Sequence, residues 1–225
     1  MYCDGSEPLS PTGPCRPGYF CTGGSPTAVQ QEVKQGYYSL EGASRPEACP
    51  LGTFQFLRGQ AQCQKCLEGT FCNQTNLAKS FTCPRGQYCP AGSILPIPCP
   101  PGTYSDTTGS ADIASCKPCA NGMYCSTVGL IQPEGPCQHG HYCTLGSNTS
   151  SPVGLPFGDL CPAGYYCPMG TEDPYENPCP PGTWNQIRGA SDETWCRPCP
   201  PREFCDTPAL TKPTGLCFPG GHVIP

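Results

Sequence analysis

Cysteine carries most of the chemical potential of this chain, with 22 residues in a total of 225. Three C-x-x-C pairs, Cys63/Cys66, Cys116/Cys119 and Cys196/Cys199, have the local spacing of a zinc or thiol-redox centre. A zinc ribbon needs two such pairs about 15–20 residues apart, whereas these recur at intervals of 53 and 80 residues. A thioredoxin-like site needs a βαβ setting and a depressed thiol pKa, and no such pattern surrounds them. His139 and His141 flank Gly140, but no carboxylate cluster is near and His222 is the remaining histidine, so surface histidines are expected. Acidic residues such as Asp4, Asp106, Asp112, Asp159, Glu172, Asp173, Asp192 and Glu193 are scattered, and the spaced acidic pattern of a calcium-binding loop is missing. No nucleophile elbow, zinc-protease helix or phosphate-binding glycine loop occurs. The expectation is therefore structural disulfides, with no catalytic residue, metal site or cofactor.

Two further groups of residues point to surface chemistry. Asn73-Gln74-Thr75 and Asn148-Thr149-Ser150 are N-glycosylation sequons in polar linkers. Aromatic residues recur beside cysteines at Phe54, Tyr104 and Trp184, and again at Phe20, Phe71, Tyr88, Tyr124, Tyr142, Tyr166 and Phe204. At these places they are expected to cover disulfides in place of a core.

Composition decides what can position these residues. Glycine and proline number 28 and 31, while Leu, Ile, Val and Phe together number 32, too few for a Rossmann sheet, a barrel or a large enzyme core. A net charge of −5 is too small to hold the chain open. No run of about 18 apolar residues exists to span a membrane. The 12 Lys and Arg residues are scattered, which argues against a nucleic-acid face. Cross-links must hold the fold, and so many of them belong in an oxidising compartment, so an extracellular location, secreted or cell-surface, is expected.

The chain is internally repetitive. C-P-x-G-T-aromatic occurs at Cys49–Phe54, Cys99–Tyr104 and Cys179–Trp184, each followed by a spaced glycine (Gly59, Gly109, Gly189) and then by C-x-x-C. C-x-x-G-x-aromatic-C begins at Cys15, Cys66, Cys83, Cys119, Cys137 and Cys161, and a copy at Cys199–Cys205 carries Arg202 in place of glycine. The repeated glycine is expected to supply a positive φ in a tight turn, with Arg202 either strained there or replacing that turn. This frame divides the chain into 1–14, the end of a preceding repeat; repeats at 15–82, 83–136 and 137–216, the last with an extra Cys161/Cys167 pair; and 217–225, the start of a further repeat. Met1-Tyr2-Cys3 aligns with Met123-Tyr124-Cys125, so the chain is expected to be a piece of a longer polypeptide. The fold class expected is small and disulfide-rich, mostly coil with short β-hairpins, with tandem repeats forming an elongated rod.

Spacing alone does not settle disulfide connectivity, but the repeats constrain it. Val33 and Ser39 replace Cys161 and Cys167 together in the first repeat, which pairs Cys161 with Cys167. Cys49–Cys63, Cys99–Cys116 and Cys179–Cys196 are expected to close hairpins. The C-x5-C elements flanking each linker are expected to interleave, as Cys66–Cys83 with Cys72–Cys89, Cys119–Cys137 with Cys125–Cys143, and Cys199–Cys217, with Cys3–Cys21 in the same register. That register leaves Cys15 and Cys205 without partners, since position 223 is Val223.

The C-P-x-G-T-aromatic element followed by C-x-x-C resembles the ephrin-receptor-like, or GCC-type, cysteine-rich repeat. Cys99–Cys119 and Cys179–Cys199 carry it closely, and Cys49–Cys66 carries it with Leu51 for the second proline. The chain is similar more loosely to EGF-like modules and to tumour-necrosis-factor-receptor cysteine-rich domains, the second of which lends support to the interleaved pairing. The resemblance implies an extracellular mosaic module. The function expected is that of a non-enzymatic structural segment of an extracellular or cell-surface filament, stalk or matrix. Its partners would be copies of itself or further repeats of the same longer chain, and N-linked glycans. The alternative is the ligand-binding ectodomain of a receptor or adhesion protein, whose partner would be an extracellular protein ligand.

Overall fold

A computed structural model describes residues 1–3, 5 and 12–217; Asp4, residues 6–11 and residues 218–225, with His222 and Val223, lie outside the described residues. The protein is disulfide-rich and mostly coil, with short antiparallel hairpins in tandem. Among the described residues, ten two-stranded antiparallel sheets follow one another, from Tyr19–Phe20 paired with Gln31–Glu32 to Glu203–Phe204 paired with Gly215–Leu216. Isolated bridges between Tyr2 and Gly13 and between Tyr165 and Pro178 hold the corresponding place in two further turns. Two short 3₁₀ turns, Ile113–Ser115 and Glu193–Trp195, interrupt the return loops of two hairpins.

A left-handed residue opens each hairpin, and it is glycine in all but the hairpin of Glu203–Phe204. Gly18, Gly36, Gly52, Gly69, Gly86, Gly102, Gly122, Gly140, Gly164 and Gly182 lie 16 to 24 residues apart and all have positive φ, between 72° and 87°. Arg202 follows them at φ 69°, a left-handed conformation that costs a non-glycine residue about 1–2 kcal/mol. Each of the long repeats read from the sequence thus holds several hairpins. The hairpin following Gly-Thr-aromatic is one instance of a shorter unit that recurs throughout.

The same backbone bonds join each hairpin to the next inside both compact units, which comprise residues 1–98 with 106–115 and residues 99–105 with 116–225. In the first unit, Gly18 N–H donates to the Ser39 carbonyl (2.9 Å) and Val33 N–H to the Gly18 carbonyl (3.0 Å). Cys21 N–H donates to Ala43 (3.1 Å), and Gly42 N–H donates back to Cys15 (2.9 Å). In the second unit, Gly140 N–H meets Cys167 O (2.8 Å), Cys161 N–H meets Gly140 O (2.9 Å), Cys143 N–H meets Thr171 O (3.1 Å) and Gly170 N–H meets Cys137 O (2.8 Å). Strands of two residues could not stand alone in water. The ladder between hairpins supplies the partners that so little sheet leaves without bonds.

Close approach explains why the opening position is glycine as well as left-handed. A Cβ on Gly36 would collide with the backbone carbonyl of Asn76, two hairpins on, and a Cβ on Gly164 would collide with that of Ala209. A Cβ on Gly182 would meet nothing within 4 Å among the described residues. The return loops carry a second positive-φ residue, mostly glycine, but Asn76 and Ala209 hold it at 59°.

Candidate functional site

Two inward positions recur in every hairpin. The first, three residues before the opening glycine, is Cys15, Val33, Cys49, Cys66, Cys83, Cys99, Cys119, Cys137, Cys161, Cys179 and Cys199 along the chain. All are buried except Cys199, which is half-buried. The second, three residues after the opening glycine and so six after the first, is cysteine in seven hairpins and Ser39, Gln55, Ser105 and Asn185 in the others, and it is buried in each. Cysteine dominates the core, with Val33, Phe54 and Ala190 as the main apolar additions. The aromatic just before the second position is half-buried in every hairpin except at Phe54, which is buried. The two aromatic series seen in the sequence are therefore one structural position.

Where both inward positions are cysteine they bond to each other. Cys15–Cys21, Cys66–Cys72, Cys83–Cys89, Cys119–Cys125, Cys137–Cys143, Cys161–Cys167 and Cys199–Cys205 are disulfides, with Cα atoms 5.7–6.2 Å apart. This corrects the interleaved expectation: Cys66–Cys83, Cys72–Cys89, Cys119–Cys137, Cys125–Cys143, Cys199–Cys217 and Cys3–Cys21 do not form. The glycine turn brings positions i and i+6 face to face within bridging reach, whereas the interleaved pairs would join different hairpins. Cys15 and Cys205, expected to lack partners, have them, and the free cysteines are Cys3 and Cys217, both exposed.

Where the second position is polar, the first cysteine bonds to the return loop, as Cys49–Cys63, Cys99–Cys116 and Cys179–Cys196. The buried amide then clamps local backbone. Gln55 Nε2 donates to the Gln62 carbonyl (2.8 Å) while its Oε1 accepts from Leu57 N–H (3.0 Å), and Asn185 bonds both backbone groups of Ile187. The hairpin of Val33 and Ser39 has neither kind of bridge, and Ser39 Oγ donates to the Tyr19 carbonyl (3.0 Å). Nothing in the sequence flagged Gln55 as a core residue. Its place six residues after Cys49, where other hairpins have cysteine, is the signal that could have found it.

Polar side chains are spread rather than gathered. Among the described residues no three His, Cys, Asp or Glu side chains group as a metal site. His141 Nδ1 lies 3.3 Å from the His139 carbonyl. Asp159 receives the N–H groups of Gly154 (3.0 Å) and Leu160 (2.7 Å) and the Arg188 guanidinium, which together hold its carboxyl below the ordinary range. Hydrogen bonds from Ser126 do the same for Glu134. The Tyr38 hydroxyl donates to Glu47 (2.7 Å), and that bond raises its pKa. Asn73 and Asn148 are both exposed, with Thr75 exposed and Ser150 half-buried. No helix of the described residues is long and apolar enough to cross a membrane.

Residues 36–83 match the family model described as "Tyrosine-protein kinase ephrin type A/B receptor-like". The chain is also 31% identical over 166 residues, 60% of its length, to the rat "Sushi, von Willebrand factor type A, EGF and pentraxin domain-containing protein 1". It is 36% identical over 106 residues, 40% of its length, to the Arabidopsis thaliana "Putative white-brown complex homolog protein 30". A third match, 31% identical over 102 residues and 44% of the chain, is the "ABC-type transporter claG" of Penicillium crustosum. The chain spans 5%, 9% and 12% of the length of these three proteins, respectively. The match at 36–83 and the ten disulfides among the described residues are consistent with a cysteine-rich repeat of the ephrin-receptor-like kind.

Proposed function

We propose that this chain is a non-enzymatic structural segment of an extracellular or cell-surface filament, stalk or matrix, stapled by disulfides and N-glycosylated at Asn73 and Asn148. The observation that carries this reading is the repetition, within each compact unit, of the same backbone bonds from hairpin to hairpin. Such nearest-neighbour construction adds material one module at a time. The number of disulfides supports an oxidising compartment, and the exposure of both sequon asparagines suits a glycan directed into water. Matches confined to small parts of much longer proteins fit a module within a larger polypeptide. Electron microscopy of native material tests the reading: long fibres or stalks are expected, and isolated monomers that bind a soluble ligand would sink it. Mass spectrometry of the same material should find Asn73 and Asn148 glycosylated; bare asparagines would remove that part.

A second reading, the ligand-binding ectodomain of a receptor or adhesion protein, is favoured by the match of residues 36–83 to a receptor-like model. It predicts a saturable protein ligand for the monomeric chain.

A further inference from the structure

Residues 49–98 differ in surface chemistry from the rest of the chain. They hold four basic residues, Arg58, Lys65, Lys79 and Arg85, all exposed, against one acidic residue, Glu68, in a protein whose net charge is −5. The same stretch exposes large apolar side chains, including Leu51 (47%), Leu67 (63%), Ile94 (45%) and Leu95 (64%). Some of these are neighbours across hairpins. A Cβ on Gly52, beside Leu51, would lie 3.4 Å from Ile94 Cγ1, and one on Gly92 would lie 4.0 Å from Lys65 Cδ. Leu51, Lys65 and Ile94 thus belong to one exposed patch of mixed basic and apolar character, of the kind that marks an interaction site.

Residues 99–225 carry the complement, with eleven acidic residues against five basic. Its sharpest feature is the loop from Pro168 to Pro178. Met169 and Tyr175 are each 64% exposed there, among the exposed Glu172, Asp173 and Glu176. The loop is held in shape. Tyr175 N–H donates to Asp173 Oδ1 (3.0 Å), Glu176 N–H donates to the Asp173 carbonyl (3.3 Å), and the Tyr175 ring stands edge-on to Tyr165 at 5.1 Å. An exposed aromatic already fixed in place loses little conformational entropy on docking, and tyrosine is among the residues that anchor interfaces.

We infer that the acidic loop 168–178 of one copy docks on the basic, apolar hairpins of residues 49–98 of a second copy. Charge of opposite sign and apolar side chains on both faces argue for this occupant. The two faces differ, so a single contact leaves one face of each copy free, and association propagates unless the pair closes reciprocally or into a ring. The inference rests on the structural reading proposed above and gives it a specific contact.

Sedimentation of the oxidised 225-residue chain tests it. Concentration-dependent association is expected, weakening as salt is raised from about 0.05 to 0.5 M. Tyr175→Ala, the pair Glu172→Lys with Asp173→Lys, and the pair Lys65→Glu with Arg85→Glu should each weaken association about tenfold. Tyr175→Phe should keep it. Mixing the two charge-reversed proteins should restore a hetero-complex, which excludes misfolding as the cause of either loss. A chain that stays monomeric, association unaffected by both reversals, or a monomer retained by anionic lipid vesicles through Lys65 and Arg85 would overturn the inference. Fibres in native material together with a monomeric purified chain would overturn this contact and leave the filament reading standing. Association through these faces in material without fibres would do the reverse.

Discussion

The turn that opens at Gly36 and the turn that opens at Gly164 do the same work with different fillings. Both read Gly-Tyr-Tyr, but Val33 and Ser39 occupy the inward positions of the first, where Cys161 and Cys167 form a disulfide in the second. Their backbone bonds correspond one for one. Gly36 N–H donates to Gln55 O at 2.8 Å and Gly164 N–H to Asn185 O at 2.7 Å; Ser39 N–H donates to Gln60 O at 3.2 Å and Cys167 N–H to Ala190 O at 2.9 Å. The turn geometry and the ladder therefore set the frame, and the disulfide fills two inward positions that a valine and a serine can also fill. Bridges add stability to a conformation that the backbone already specifies.

The largest test of that division is full reduction. Bridges with sequence separations of 6 to 17 contribute roughly 2–3 kcal/mol each in the chain-entropy view, so loss of all ten should unfold the chain. Circular dichroism or thermal melting unchanged after reduction would show that the ladder alone suffices. Next in size is Gly36→Ala, which must accommodate both a left-handed φ of 80° and the Asn76 carbonyl, and should cost about 3 kcal/mol or more. Gly182→Ala faces a similar φ with no contact among the described residues and should cost about 1–2 kcal/mol. Equal losses in denaturant titration would remove close approach from the explanation.

Converting Cys161 to Val and Cys167 to Ser copies the filling of the Gly36 turn. It should lower stability by about 2 kcal/mol while preserving hydrogen-exchange protection of the Gly164 amide; loss of that protection would make the bridge a requirement of the frame. The smallest effect is electrostatic. Asp159 has a lowered pKa through Gly154, Leu160 and Arg188, so its contribution is present above the unfolded carboxylate value and is lost as pH falls through the folded one. Asp159→Asn should therefore cost about 1 kcal/mol at pH 7 and progressively less below about pH 4. A difference that persisted at pH 2 would place the role of Asp159 outside its charge.

The cysteine frame, the hairpin after each Gly-Thr-aromatic and the positive φ of the repeated glycine were legible in the sequence, because glycine, proline and cysteine announce backbone geometry locally. The true period was harder to see. Val33, Ser39, Gln55, Ser105 and Asn185 break the cysteine pattern at inward positions, so the eye finds repeats of three or four hairpins in place of one. The joint replacement of Cys161 and Cys167 by Val33 and Ser39 already marks positions i and i+6 as partners, and the same pairing holds in the six other C-x5-C elements. Interleaving fails because linker length carries no information about which sulfurs the turn brings together. The Asp159–Arg188 pair spans two hairpins, and no local pattern could have announced it.

Loop length is nearly free in this fold. The opening glycines sit at uneven intervals, yet each step is tied by groups drawn from the opening glycine, the two inward positions and the return loop. An unequal crossover that adds or deletes one hairpin inside a unit would leave each donor opposite an acceptor of the same kind. Heredity can therefore alter how many hairpins such a chain holds without redesigning any of them, and a single return loop, such as the one carrying Tyr175, can diverge toward a new surface while its neighbours stay as they were.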